Sequence, residues 1–311
     1  MKEMSFMSDN GIKGAFTTVI GSVSDYINAV RSFNDREMER HDPFPKEFLF
    51  RGQSDSNYKL SPSLGRYKSG HEDFLFVERN MIETAKFKMP NVFSKDLEPI
   101  ELLGLLQHYG LPTRLLDLTE NALVALFFAC EGNPDKDGEV FVFKNSIYDV
   151  ADYPIINAIA DSYRFSRGSF YPLTLFYSDV IQQPYFLEQK RTNEICHKND
   201  DEGGRWIAEC CKKPLFVRAS IRLTRQQIQR GRYLLFPNEI RTTEYDTIGA
   251  FLPRIKPLPK EDESIIGRVI VSADKKGEIL NEMKLLGIDR GMLFADSVDI
   301  VCEEIKKDYF E

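Results

Sequence analysis

The chain has 311 residues, 42% hydrophobic and 29% charged, a soluble balance that supports a sizeable core in one large domain or two modest ones. A net charge of −7 and a pI near 5.4 argue against a protein held on nucleic acid by phosphate neutralisation, although Arg222, Arg225, Arg230 and Arg232 make a local basic run. The first fourteen residues hold no apolar stretch of signal-peptide length, and no later segment approaches a membrane span. Cys130, Cys196, Cys210, Cys211 and Cys302 form no C-x-x-C pair and no zinc-spaced set with histidine, so the expectation is a reduced, cytoplasmic protein without a metal or a membrane.

In chain order, residues 16–34 predict a helix with Val19, Val23, Ile27 and Val30 on one face. A polar loop leads to EFLFRGQ, a short strand ending at Arg51 and Gly52, and then to the turn-rich SDSNYKLSPSLGR. Phe74–Phe87 is helical again, and IELLGLLQHYG is a further helix, with Gly110 suited to a left-handed C-cap and Pro112 blocking continuation.

The stretch Gln107–Ala129, QHYGLPTRLLDLTENALVALFFA, then packs His108, Thr113, Arg114, Asp117 and Thr119 into a Gly/Pro-bounded loop. The helix it feeds is apolar on nearly every face, hence buried all round, so the loop is anchored to the core. Asp117 or Thr119 is expected to cap that helix, Asp117 with Glu120 as a capping-box variant. EVFVFKN follows as a strand, and residues 146–213 read as an insertion or small helical lobe. KPLFVRASIRL resumes strand character, 222–231 reads as a polar linker, and RYLLFPN and GRVIVSAD are strands. A helix from Asp274 to Leu286, followed by Gly287, and an amphipathic helix in DIVCEEIKKDYF close the chain. The mixture is α+β: a mixed or antiparallel central sheet with helices packed on it, with too little strict alternation for a doubly wound fold.

FRGQ at 50–53, YKLSPSL at 58–64 with Arg66, the long 107–129 motif and IQRGRYLLF at 228–236 together resemble the FRG domain family. ADKKGEILNEMKLLGIDRGMLFAD is similar to that family's closing helix and turn. Tyr58 stands where the family usually has Trp, Leu118 where Trp often follows the Asp, and Ala122 where Pro is common. The resemblance implies one FRG-type domain, with core motifs at 45–145 and 214–300. It brings a bacterial and phage-associated setting (defence, toxin or stress) but no general activity.

A more distant similarity, in motif order, is to the ADP-ribosyltransferases, and it implies an ADP-ribosyltransferase-like fold with NAD as substrate. Carried across, it makes Arg51 the phosphate contact, beside Gly52 as the point of close ligand approach. Thr119 or Thr113 becomes the ribose-positioning hydroxyl, and Gln229 or Glu239 the last catalytic member. Gln229 is a neutral amide and cannot give the charge stabilisation a carboxylate gives. The alternative is a pocket without turnover, a ligand-sensing or protein-interaction domain. There Arg51, Gln53, Gln107, His108, Arg114, Asp117 and Asn121 would bind an anionic, nucleotide-like molecule or a protein target. Each residue also has a plain structural reading. Arg51 and Arg114 could bridge to Asp117, Asp117 and Thr119 could be caps, His108 could satisfy helix-end carbonyls, and Gln107 and Gln229 could bond the main chain.

Overall fold

The computed structural model describes residues 16–38, 46–66, 74–93, 96–146, 153–165, 170–191, 193–218 and 224–310. His41, His71 and Arg222 lie outside them. The strands are β1 (Phe16–Ile20), β2 (Lys46–Gln53), β3 (Leu115–Thr119), β4 (Gly138–Ser146), β5 (Tyr171–Pro172), β6 (Leu215–Val217), β7 (Gly231–Leu235), β8 (Ile240–Arg241), β9 (Ala250–Phe251) and β10 (Ile265–Val271). The helices are α1 (Val23–Met38), α2 (Phe74–Lys88), α3 (Pro99–His108), α4 (Ala122–Cys130), α5 (Tyr153–Ala160), α6 (Ser162–Phe165), α7 (Leu173–Val180), α8 (Pro184–Leu187), α9 (Asp200–Cys210), α10 (Thr224–Ile228), α11 (Lys276–Leu285), α12 (Arg290–Leu293) and α13 (Val298–Phe310).

A seven-stranded sheet in the order β1-β10-β4-β2-β3-β7-β6 forms the centre, with a small β5-β9-β8 sheet beside it. Its pairings are antiparallel except for β1 with β10, so the fold is α+β with a mixed sheet. Successive side chains on a strand point to opposite faces, and the core divides accordingly. Val140 and Val142 of β4 pack with Phe50, α1, α4 and α11. Phe141 and Phe143 turn the other way, joining Leu49, Leu116, Leu118 and Leu234, where the irregular segments carrying Leu60, Leu64, Ile255 and Leu258 cover the sheet. On the remaining half, Leu115, Tyr233, Leu235 and Val217 meet α3 and α5–α9 in a third cluster. Two separate helical layers therefore cover the two halves of the sheet, and their seam runs over the junction of β2 and β3.

That junction is thin. β2 pairs with β4 along its whole length but with β3 through one register position, Phe50 opposite Thr119. On the other side of β2, α4 lies unusually close. A Cβ on Gly52 would stand 1.8 Å from the carbonyl oxygen of Ala125, and one on Gly138 would stand 2.1 Å from that of Ala129. Both glycines are needed for the packing of strand against helix. As expected for a helix without a polar stripe, α4 is buried from Val124 to Phe127 and again at Ala129 and Cys130.

Some local expectations give way. Residues 16–34 are not one helix. The β-branched run Thr17, Thr18, Val19 and Ile20 pairs with β10, and the helix starts only at Val23. The buried side of α1 is Val23, Tyr26 and Phe33, while Ile27 is exposed. Asp117 and Thr119 belong to β3 and cap nothing. Asn121 is the N-cap of α4, its Oδ1 accepting the Leu123 N–H at 3.0 Å. The expected polar linker contains the short α10. Gly110 (φ +83°) and Gly287 (φ +76°) do take the left-handed conformation at helix ends. No helix among the described residues is long and apolar enough to cross a membrane.

Because the added methyl would collide with main chain on a buried helix, Gly52→Ala should cost about 3 kcal/mol or more of stability. Equilibrium urea unfolding checks this, and an unchanged midpoint would contradict the packing described.

Candidate functional site

Over the seam lies a cavity of about 450 Å³, within the range of small-molecule sites. Its sheet floor comes from Phe50, Arg51, Gly52, Asp117 and Thr119. The end of α3 contributes Gln107 and His108, α4 contributes Ala125 and Phe128, α10 contributes Arg225 and Gln226, and Phe294 follows α12. Motifs at 50–53, 107–119 and 225–233 thus meet at one place, joined by Tyr58 and Arg66.

Arg51 is the central cation. Its Nη1 donates to the main-chain carbonyl of Asp117 at 2.6 Å, reaching across the gap where β2 and β3 stop pairing. Its Nε is buried without a partner. Burial pulls the guanidinium down to about 10, against the opposing attraction of Asp117. A half-buried cation with a buried, unused donor at a cavity is a ready anion contact.

Asp117 opens on the cavity yet is hemmed in by protein. Burial raises its carboxyl above the usual range, while Arg51 and a hydrogen bond from Gln107 pull it back. That bond runs from Gln107 Nε2 to Asp117 Oδ1 at 2.6 Å. Gln107 in turn accepts from the Thr113 hydroxyl. His108 is held below its ordinary value, first by burial and then by Arg225, and its Nε2 lies 3.9 Å from Asp296. Arg225 bonds Asp296 at 3.1 Å and stacks over Phe294, with 4.9 Å from its guanidinium carbon to the ring centre. The α12–α13 connection thus becomes one wall of the cavity.

The rim near Ser54 and Tyr58 is tied down from below. Asn133 Nδ2 donates to Ser54 Oγ (2.8 Å) and to Tyr58 Oη (3.1 Å). The buried Lys276 ammonium donates to the carbonyls of Ser54, Gly132 and Asn133 at 2.7, 3.2 and 3.0 Å.

Arg51, Gly52, Gln53, Gln107, His108, Asp117, Thr119 and Gln229 all line this cavity; Thr113, Arg114, Asn121 and Glu239 do not. Arg114 is fully buried elsewhere. It pairs with Glu78 and donates to Asn238 Oδ1 at 2.9 Å, so the expected bridge to Asp117 does not form. Glu239 lies past the far end of β7 and pairs with Arg254 at 2.7 Å. Thr119 gives its hydroxyl proton to the Gln229 carbonyl at 2.6 Å and accepts the Asn121 N–H at 2.9 Å. The Gln229 amide donates to the Leu293 carbonyl at 3.1 Å. Gly52, expected to ease close approach of a ligand, eases the approach of α4.

Sequence reasoning left Arg66, Glu131, Arg225, Gln226, Tyr233 and Phe294 out of the site. Arg66 and Phe294 sit inside motifs already recognised, so that signal was present; Glu131 had none. Among the described residues, no group of three or more His, Cys, Asp or Glu side chains is placed to hold a metal ion.

The two arginines should separate under mutation. Arg114→Met leaves Glu78 as a buried unpaired charge and should cost about 3–5 kcal/mol. Arg51→Ala should shift the melting temperature by no more than a few degrees, as differential scanning calorimetry will report.

Comparison with known proteins gives one finding. Residues 46–138 match the FRG domain family, a span holding β2, β3, α4 and the cavity floor. Neither the curated proteins nor the solved structures searched gave a match. Over residues 46–138, then, the chain is an FRG domain.

Proposed function

We propose that the cavity binds NAD or a closely related nucleotide and cleaves its N-glycosidic bond, in the manner of an ADP-ribosyltransferase or NAD glycohydrolase. The observation that carries this reading is the pairing of an unsatisfied arginine donor, Arg51 Nε, with the Asp117 carboxylate in one nucleotide-sized cavity. Arg51, with Arg66 nearby, suits a diphosphate. Tyr58 and Phe128 line the cavity with aromatic surface suited to a planar base.

In the proposed reaction the bond from ribose C1′ to the nicotinamide nitrogen breaks, and the electron pair leaves with nicotinamide. The oxocarbenium-like centre is captured by water or an acceptor nucleophile, which then loses a proton. Asp117, rather than Gln229 or Glu239, supplies the negative charge facing that centre. Thr119 keeps the floor in register instead of positioning ribose, since both its donor and its acceptor are engaged. The suggested setting, bacterial defence, toxin or stress response, follows from the family resemblance.

Engagement of the Thr119 hydroxyl and of the Gln229 amide nitrogen by protein groups favours a second reading, a site that binds a nucleotide-like ligand without turning it over. Chromatography of purified protein incubated with NAD decides between them. Nicotinamide release supports the enzyme, and its absence both with and without added cell extract leaves the binding module. If the enzyme reading holds, Asp117→Asn should lower turnover by at least about 10²-fold.

The pH dependence follows from the same carboxylate. Asp117 acts ionised and its carboxyl sits above the ordinary aspartate range. Activity should therefore rise with pH through a midpoint higher than that of free aspartate, and Asp117→Asn should remove this acid limb. An acid limb at the ordinary aspartate value would assign the titration elsewhere.

A further inference from the structure

Thr113 is 1% exposed and does not reach the cavity, yet it belongs to a directed chain of hydrogen bonds that ends there. The Leu115 N–H donates to Thr113 Oγ1 at 3.1 Å. Its hydroxyl proton goes to Gln107 Oε1. With its oxygen engaged, the Gln107 amide turns its NH₂ toward Asp117 and donates to Oδ1 at 2.6 Å. Each link sets the sense of the next. A side-chain amide can present either end; the hydroxyl donor at Thr113 and the acceptor oxygens of Asp117 together favour the orientation with the amide oxygen toward Thr113 and the NH₂ toward Asp117.

We propose that Thr113 is a positioning residue which, through Gln107, holds the Asp117 carboxylate oriented and ionised. The role rests on the reading of Asp117 as the functional carboxylate, but its physical content is independent of turnover. Without the Thr113 donor, Gln107 can rotate its carbonyl oxygen toward Asp117, and the two oxygens then repel unless the carboxyl is protonated. Asp117 would lose its one neutral side-chain donor and keep the cationic help of Arg51 and Arg66 and a hydrogen bond from its own main chain.

The other polar groups around Asp117 do not make this link. Arg51 on β2 bonds the main-chain carbonyl, and Arg66 donates its Nε to the Ser61 carbonyl at 2.9 Å. Tyr233 on β7 accepts from the Gln226 amide of α10 rather than bonding Asp117. His108 on α3 and Arg225 on α10 face Asp296. Glu131, beyond α4, pairs with Arg290 at 3.4 Å and adds negative charge. Gln107 is thus the carboxylate's one neutral side-chain donor in the described structure, and Thr113 braces the opposite end of its amide.

The test reads the carboxylate directly. Aspartate labelled with ¹³C at the side-chain carboxyl is titrated by NMR in the full chain, with the Asp117 signal identified by its loss in Asp117→Asn. Thr113→Val should raise the Asp117 midpoint by about one pH unit, and Gln107→Leu should raise it by at least as much. Thr113→Ser, which keeps the hydroxyl, should restore the wild-type midpoint. If Gln107→Leu moves the midpoint and a folded Thr113→Val does not, the relay is overturned. Should Thr113→Val fail to fold, an unmoved midpoint in Gln107→Leu overturns it equally. Should the midpoints move as expected while wild-type protein releases no nicotinamide, the positioning role stands and the enzyme reading falls.

Discussion

The close seating of α4 against β2 and β4 is the constraint on which the site depends. With hydrogen in place of Cβ at Gly52 and Gly138, the helix backbone lies directly on the strands. This fixes Phe128 and the rim after α4 relative to Arg51. On its other edge β2 meets β3 at a single register position. The gap beyond that position is where Arg51 reaches Asp117. A cavity at this point is therefore a product of sheet geometry, with the two helical layers as its walls.

Arg51 and Arg114 show how strongly environment decides the role of identical chemistry. Both are arginines in neighbouring motifs, Arg114 fully buried and Arg51 half-buried. Arg114 is matched by Glu78 and Asn238 and locks α2 to the loop before β3. Arg51 has a main-chain carbonyl and a leftover donor, so its desolvation is less fully compensated. An incompletely compensated charge beside open space is what distinguishes a binding group from a structural one.

The sequence made much of this legible. The apolar character of Val124–Cys130 announced a fully buried helix, and that in turn marked the preceding segment as rigidly held. Gly110 and Gly287 announced their helix ends. The meeting of the 50–53, 107–119 and 229 signatures was a reasonable expectation because polar groups near glycine, spread along the chain, need partners. What stayed hidden depends on partners distant in sequence. Nothing local shows that Arg114 has Glu78 to itself, or that Asn121 rather than Asp117 starts α4, since a β3 strand of five residues looks like a loop until β7 pairs with it. Residues 16–20 misled for a related reason: only β10, far downstream, makes them a strand.

The position of Phe294 and Arg225 carries one more consequence. The segment matched to the family holds Arg51 and Asp117, but it stops at the first residue of β4, so β2 would have a bare edge without β4 and β3 without β7. The aromatic and basic wall would be missing as well. What comparison recognises as a domain is thus narrower than the unit that can fold and enclose a ligand, and a fragment trimmed to the match would be half a vessel with sticky sides.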